Sequence, residues 1–183
     1  MKYVILLLSA FSFAQQTKFV DFKSVLGKIE INPIEKSVFG EVTYEFQVTS
    51  AIDTIRIDAQ NMTFTNFKIN NTVVNYKNSG KKIALFEGYK TGKNTLTFNY
   101  LAKPKQTMYF VGVDENLQIW TQGQGKYTSN WFPSFDDVNE KVIFNLDVNF
   151  DKNFQVISNG VLDNKTVNST TIDWHYRMKK PMS

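Results

Sequence analysis

The side chains of this sequence that could do chemistry are two glutamines, two adjacent carboxylates, a single histidine and a run of aromatics. Gln122 and Gln124 lie two apart around Gly123. In an extended strand, residues i and i+2 share a face, so both amides would project into one space. The flanking glycines let a ligand or another backbone come close. An amide oxygen can accept from an ammonium group, which is worth about 1.5–3 kcal/mol when the donor is charged and the site is shielded. On spacing alone, a polar hairpin tip is the simpler account of the pair.

Asp136 and Asp137 invite reading as an acid/base pair. Neighbours in an extended segment point to opposite faces, so they cannot share one proton or flank one bond. A turn or capping role for Asp136 is the expectation. His175 falls on the polar side of an alternating run, and a single imidazole cannot build a three- or four-ligand zinc site. It is expected at the surface. Trp120, Tyr127, Trp131, Phe132 and Phe135 could stack sugar rings or could be core or domain-interface packing. Sequons begin at Asn61, Asn70, Asn164 and Asn168 and matter only in a host that glycosylates.

The elements that must position these groups are strands. In Glu41 to Val48 every even residue is apolar and every odd one polar, which places Val42, Tyr44, Phe46 and Val48 on a core face. Ile29 and Ile31, Ile55 and Ile57, and Leu96, Phe98 and Tyr100 follow the same period. So do Val142, Phe144, Leu146, Val148 and Phe150, with Asn145, Asp147 and Asn149 expected to face water. Ile172, Trp174, Tyr176 and Met178 repeat the pattern near the end. Asn32-Pro33, Asn70-Asn71, Asn78-Ser79-Gly80, Thr91-Gly92-Lys93 and Asn159-Gly160 punctuate the runs as reversals. No segment carries three turns of helical periodicity. The expected fold is all-β, an antiparallel multi-stranded sandwich or saddle-like sheet. Alternation fails from Trp120 to Lys141, and a stretch that abandons the local rule is where function is expected to sit.

Composition narrows the classes. Hydrophobic residues at 42% and aromatics at 15% give enough material for a packed core, and they favour strands. There is no Cys and one His, which removes thiolate-zinc, disulfide and Cys-nucleophile chemistry. The net charge of +4 comes from scattered Lys, so nucleic acid is not an expected partner. Lys2, the apolar run Tyr3 to Phe13 and Ser12-Phe13-Ala14 have the form of an export leader, giving residues 1–14 as a signal peptide and 15–183 as one mature domain. The apolar run is too short to cross a bilayer, and no later stretch qualifies, so an exported, periplasmic or secreted product without a membrane span is expected.

Thr121-Gln-Gly-Gln-Gly125, then Trp131-Phe-Pro-Ser-Phe-Asp-Asp137 and Lys141, resembles the M1 family of zinc aminopeptidases, in the segment near the end of its N-terminal β domain. The family typically shows Thr-Gln-x-Glu, then Phe-Pro-x-x-Asp, then Lys and an alternating strand. Val142 to Phe150 fits that strand and Ser158-Asn159-Gly160 the turn after it. Ile29 to Pro33, Phe39 to Val42, Ile57 to Met62 and Thr97 to Tyr100 look like its early strands. The resemblance implies that Gln124 occupies the position that helps bind a substrate's free α-amino group, and that Gln122 lines the pocket for the first side chain. Gln rather than Glu at 124 removes a full counter-charge, which matters most where water is excluded. Asp137-Val138 replaces the family's usual Glu-Pro.

The family's His-Glu-x-x-His, its downstream Glu and its Gly-x-Met-Glu-Asn loop do not occur in this sequence. The resemblance therefore implies that zinc is bound outside this chain, by a thermolysin-like catalytic domain that is its expected partner, and that no catalytic residue lies here. Pro181-Met182-Ser183 resembles the family's lead into its next strand, so truncation is expected. The function implied is that of the substrate-binding domain of an exported zinc aminopeptidase, anchoring the N-terminus of a peptide. A stand-alone secreted β-sandwich module for peptides or carbohydrates is the alternative.

Overall fold

The computed structural model describes residues 15–183, so the expected leader over residues 1–14 lies outside the described residues. Thirteen strands follow a 3₁₀ turn at Gln16–Lys18. They are β1 (Val20–Asn32), β2 (Ser37–Val48), β3 (Ile55–Asp58), β4 (Thr63–Ile69), β5 (Thr72–Val73), β6 (Tyr76–Asn78) and β7 (Lys82–Leu85). After these come β8 (Gly92–Ala102), β9 (Met108–Val111), β10 (Gln118–Thr121), β11 (Ile143–Asp151), β12 (Val161–Val167) and β13 (Thr171–Arg177). Among the described residues the helical elements are 3₁₀ turns of three residues, in keeping with the absence of a 3.6-residue period.

Eight strands form one sheet in the order β12-β13-β11-β1-β2-β8-β4-β5, three form a second as β3-β7-β6, and β9 pairs with β10 as a separate hairpin. Among the strand pairs, pairing is antiparallel with one exception: β1 and β11 run parallel, Ser24 opposite Ile143 through Glu30 opposite Asn149. The fold is the expected all-β, multi-stranded and mostly antiparallel one, with this single parallel pair added to it. A parallel pair needs a long crossover connection, and here everything from β2 to β10 supplies it, which periodicity cannot reveal.

The period-two runs place the core. On β2, Val42, Tyr44, Phe46 and Val48 are buried while Glu41, Glu45 and Gln47 are exposed. Leu96, Phe98 and Tyr100 of β8 are buried beside them. The three-stranded sheet closes over this face with Ile55, Ile57, Ile83 and Leu85, none of them more than 1% exposed. Aromatic rings join the layers. Phe67 stacks on Phe98 at 4.8 Å and on Tyr76 at 4.4 Å, and Phe64 meets Phe98 edge-on at 5.6 Å. Burial of each such ring stabilises by about 1.5–3 kcal/mol, so this cluster dominates the interface.

β11 departs from its expected pattern. Leu146 and Val148 are buried, but Phe144 and Phe150 are only partly so, and Asn145, Asp147 and Asn149 are half-buried, not water-facing. The strand lies between β1 and β13, and its polar side chains bond laterally across the sheet. Asn149 Nδ2 donates to Asp173 Oδ1 at 2.7 Å and to Thr171 Oγ1 at 3.1 Å. Asn145 Oδ1 accepts from the Met178 N–H at 3.1 Å.

Candidate functional site

Trp120 to Lys141, where alternation fails, run from a hairpin strand toward the start of β11. Strand β10 ends at Thr121. The Gln122 N–H adds one further rung, donating to the Thr107 carbonyl at 2.7 Å. Thr107 is itself buried with φ +75°, a left-handed conformation that is strained for a β-branched residue. Beyond Gly123 the chain leaves the strand through a turn over residues 124–127, with Gly125 at φ +84° and Lys126 at φ +75°. A Cβ on Gly123 would meet the Thr128 hydroxyl, so the turn packs closely against the 3₁₀ segment Thr128–Asn130.

The expected common face for the two glutamines is therefore not realised. Gln124 lines a cleft of about 480 Å³, whereas Gln122 is not among the residues around it. The same-face rule holds only while the chain stays extended, and the strand stops before Gln122. Thr121, Trp131, Phe135, Asp136, Asp137, Glu140 and Phe144 also border the cleft.

The cleft wall is fastened to both sheets. Ser134 and Asp58 exchange backbone bonds at 2.8 and 3.0 Å, and the Gln60 N–H donates to the Ser129 carbonyl at 2.8 Å. Asp58 Oδ2 accepts from the Asp136 N–H at 3.0 Å, and its Oδ1 pairs with Lys82 Nζ at 2.7 Å. The Asp136 carboxylate accepts from Ser129 Oγ at 2.7 Å. Burial pushes the Asp136 carboxyl up, against the Ser129 hydrogen bond, and the neighbouring Asp58 adds to the rise. The expected turn role belongs to Asp137 instead, whose Oδ1 accepts from the N–H and the side-chain amide of Asn139, both at 3.0 Å. Asp136 ties the wall to the second sheet.

The aromatic run divides. Trp131 and Phe132 are buried, and Phe135 packs on Phe22 at 4.4 Å, so these are core. Phe132 lies so close over β1 that a Cβ on Gly27 would fall 2.5 Å from its ring. Trp120 and Tyr127 are exposed, and Trp120 stacks on Tyr109 at 4.4 Å across the β9–β10 hairpin. His175 is not the free surface residue expected. Its Nδ1 lies 2.9 Å from Asp147 Oδ1, which also accepts from Arg177 Nη1 at 2.6 Å, and the three form part of the lateral polar ladder of β11 and β13.

Glu140 carries no motif that would single it out. It is 6% exposed, and its Oε1 accepts from the Phe22 N–H at 3.2 Å. Burial pushes its carboxyl up to about 7, with Asp21 and Asp137 adding repulsion. Its even position, in phase with Val142, Phe144 and Leu146, is the one sequence signal that it points inward. Among the described residues no group of three or more His, Cys, Asp and Glu side chains could hold a metal ion, so this chain's own donors do not fit a zinc site. No helix among them is long and apolar enough to cross a membrane.

No curated protein matches the sequence. Solved structures do match the fold. An M1 zinc metallopeptidase mutant from Deinococcus radiodurans, bound to a Tyr-Ser-Ala substrate, aligns with a TM-score of 0.77 at 13% identity, over 90% of this chain and 40% of that one. Yeast LTA4 hydrolase in complex with bestatin aligns at 0.74 and 13% identity, over 90% of this chain and 27% of that one. Legionella pneumophila aminopeptidase A, in complex with aspartic acid, gives 0.76 and 13%, over 89% and 20%. The chain thus spans at most two-fifths of the length of these structures. The family model of the peptidase M1 N-terminal domain matches residues 26–183. With the sandwich in place and the Thr121 to Lys141 segment forming one cleft wall, the chain belongs to the peptidase M1 N-terminal domain family.

Proposed function

We propose that this chain is the substrate-facing domain of an exported zinc aminopeptidase, and that Gln124 accepts a hydrogen bond from the free α-ammonium group of a peptide. The observation that carries the reading is the place of Gln124, on the border of a cleft whose other wall residues include Asp136 and Asp137. An ammonium group has three donors and no acceptor, so it suits a wall of amide and carboxyl oxygens. Zinc is held by a catalytic domain beyond Ser183. There it would supply Lewis-acid chemistry, while residues of this chain bind and orient the peptide end. Gln122, exposed and outside the cleft border, acts at the pocket rim, contributing to the first side-chain site only once the catalytic domain closes over it. Export rests on the leader-like residues 1–14, and cleavage after Ala14 is checked by the N-terminal mass of the purified protein.

The reading frame beyond Ser183 is the first test: His-Glu-x-x-His in frame supports the proposal, and a stop codon there ends it. In the complete protein, Gln124→Ala should raise KM for free-amine peptides roughly tenfold, the loss of one hydrogen bond to a charged donor. An unchanged KM would show that Gln124 is not the anchor. The exposed Tyr109–Trp120 stack favours one second reading, a stand-alone module that binds peptides or carbohydrates. That reading requires this chain alone to bind such a ligand and Trp120→Ala to abolish the binding.

A further inference from the structure

The β9–β10 hairpin stands apart from the two larger sheets, and β10 pairs with β9 alone. Gln118 lies opposite Val111 and Trp120 opposite Tyr109, and the Gln122 N–H carries the register on to the Thr107 carbonyl. Bonds in an antiparallel ladder fall on alternate residues, so Gln118, Trp120 and Gln122 direct theirs to β9. Ile119 and Thr121 therefore turn their N–H and C=O groups outward, along an edge that meets no other strand among the described residues. Thr121 is exposed and Ile119 half-buried, and no backbone group outside the hairpin bonds to either.

The free edge borders a groove of about 540 Å³ that continues the cleft at Gln124, since the two share Thr121, Trp131, Phe144 and Asn159. The groove lies over the large sheet, with Leu146 and Val148 of β11 in its floor. Ile119 packs against the core, and the strand period puts Thr121 on the same side. Trp120, exposed and stacked on Tyr109, faces the opposite side. A four-residue edge is too short for a second folded copy of the chain, because a stable dimer buries roughly 1,600 Å². It suits one extended peptide, whose backbone supplies the missing donors and acceptors. Gly123 has no side chain, so that backbone can come close where the edge reaches the cleft.

We infer that the free edge of β10 binds the peptide as an added antiparallel strand, and that the groove selects apolar side chains at its third and fifth residues. The direction rests on the anchoring of the peptide's amino group at Gln124 proposed above. β10 runs from Gln118 toward Gln124, so a peptide that begins beside Gly123 and continues along the edge runs opposite to it. Its third residue then falls opposite Thr121 and its fifth opposite Ile119, each in a hydrogen-bonded pair. The peptide N–H donates to the β10 carbonyl, and the β10 N–H donates to the peptide carbonyl. Partners in such a pair place their side chains on one face, so the third and fifth side chains turn with Thr121 and Ile119 toward the groove floor. The second and fourth turn to the side of Trp120. Gln124 fixes where the peptide begins, and β10 fixes its course. The substrates favoured are free-amine peptides long enough to reach Ile119, apolar at those two positions.

The test measures, by calorimetry on the complete protein, the binding of a free-amine pentapeptide with leucine as its third and fifth residues. Its first amide bond is reduced so that it cannot be cleaved. N-methylation of the third or the fifth residue removes the donor to Thr121 or Ile119, and each should weaken binding roughly fivefold to tenfold. N-methylation of the fourth, whose N–H points away from β10, should leave the affinity unchanged. Asparagine for leucine should weaken binding at the third residue and be tolerated at the fourth. Thr121→Pro deletes one outward N–H, leaves the rungs made by Trp120 and Gln122, and should lower affinity by a similar factor. No binding of the parent peptide, or a scan without alternation, overturns the added strand, and a groove filled by another part of the protein would give that flat scan. Acetylating the peptide's amine reports on the anchor separately. If acetylation costs nothing while the scan alternates, the anchor fails and the strand stands; if it abolishes binding and the free-amine scan is flat, the strand fails and the anchor stands. If Thr121→Pro does not fold, the scan still decides, because it needs no variant.

Discussion

The hydroxyl of Tyr44, in the middle of β2, donates to the carbonyl of Pro133 at 2.6 Å, joining the central sheet to the segment that carries the cleft. Both residues are buried, so neither group has water as an alternative partner. Removing the donor leaves a carbonyl desolvated and unpaired, which is worse than never having made the bond. Tyr44→Phe should therefore destabilise the domain by about 1–2 kcal/mol while leaving the ring packing on Phe22 and Phe135 intact. Chemical denaturation of the two proteins measures this, and equal midpoints would show that the carbonyl finds another partner.

Glu140 makes stability depend on pH in an unusual direction for a carboxylate. Its folded-state value, about 7, lies above the ordinary 4.5. The folded protein therefore binds the proton more tightly, and the stability this group contributes is fully present below its ordinary value and lost as pH rises to about 7. At higher pH the ionised group destabilises by about 3 kcal/mol. Glu140→Gln should remove that loss, so its denaturation midpoint should exceed that of the unmodified chain at alkaline pH, with the gap closing on acidification.

Gly27 is where the cleft segment rests on the large sheet. A methyl group there would fall 2.5 Å from the Phe132 ring, and Phe132 is itself fully buried against Tyr100 and Phe144 with nowhere to retreat. Gly27→Ala should destabilise by about 1–3 kcal/mol, the ordinary result of overpacking a close-packed site. It should also shift the fluorescence of Trp131, whose ring lies 5.5 Å from Phe132. A stabilised variant would mean that the ring can move.

Phe98 meets Phe67, Phe64 and Tyr44 at once and so joins β8 to β4 and β2 under the second sheet, whose Tyr76 stacks on Phe67. Phe98→Ala should cost about 3–5 kcal/mol, because a cavity walled by rings cannot collapse without breaking their stacking. Thermal melts decide it. A loss under about 1 kcal/mol would place the energetic centre of the domain elsewhere.

Much of the fold is legible in residue order, and the boundary of what is legible is physical. Alternation is local, so Val42, Tyr44 and Phe46, and likewise Leu96, Phe98 and Tyr100, declare their strands and their buried faces through their spacing alone. The break from Trp120 to Lys141 marks the segment that lines the cleft, and its motif carries the family resemblance. Contacts between distant parts of the chain are not legible in this way. No local pattern says that β11 lies parallel to β1, that Asp136 reaches across to Asp58, or that His175 shares Asp147 with Arg177. Gln122 and Gln124 part company because the strand ends at Thr121, a point set by where β9 runs out of partner and by Gly123 closing on Thr128. Glu140 reads as one more charged residue before a strand. Only the unpaired N–H of Phe22, brought to it by the fold, makes it a buried carboxyl.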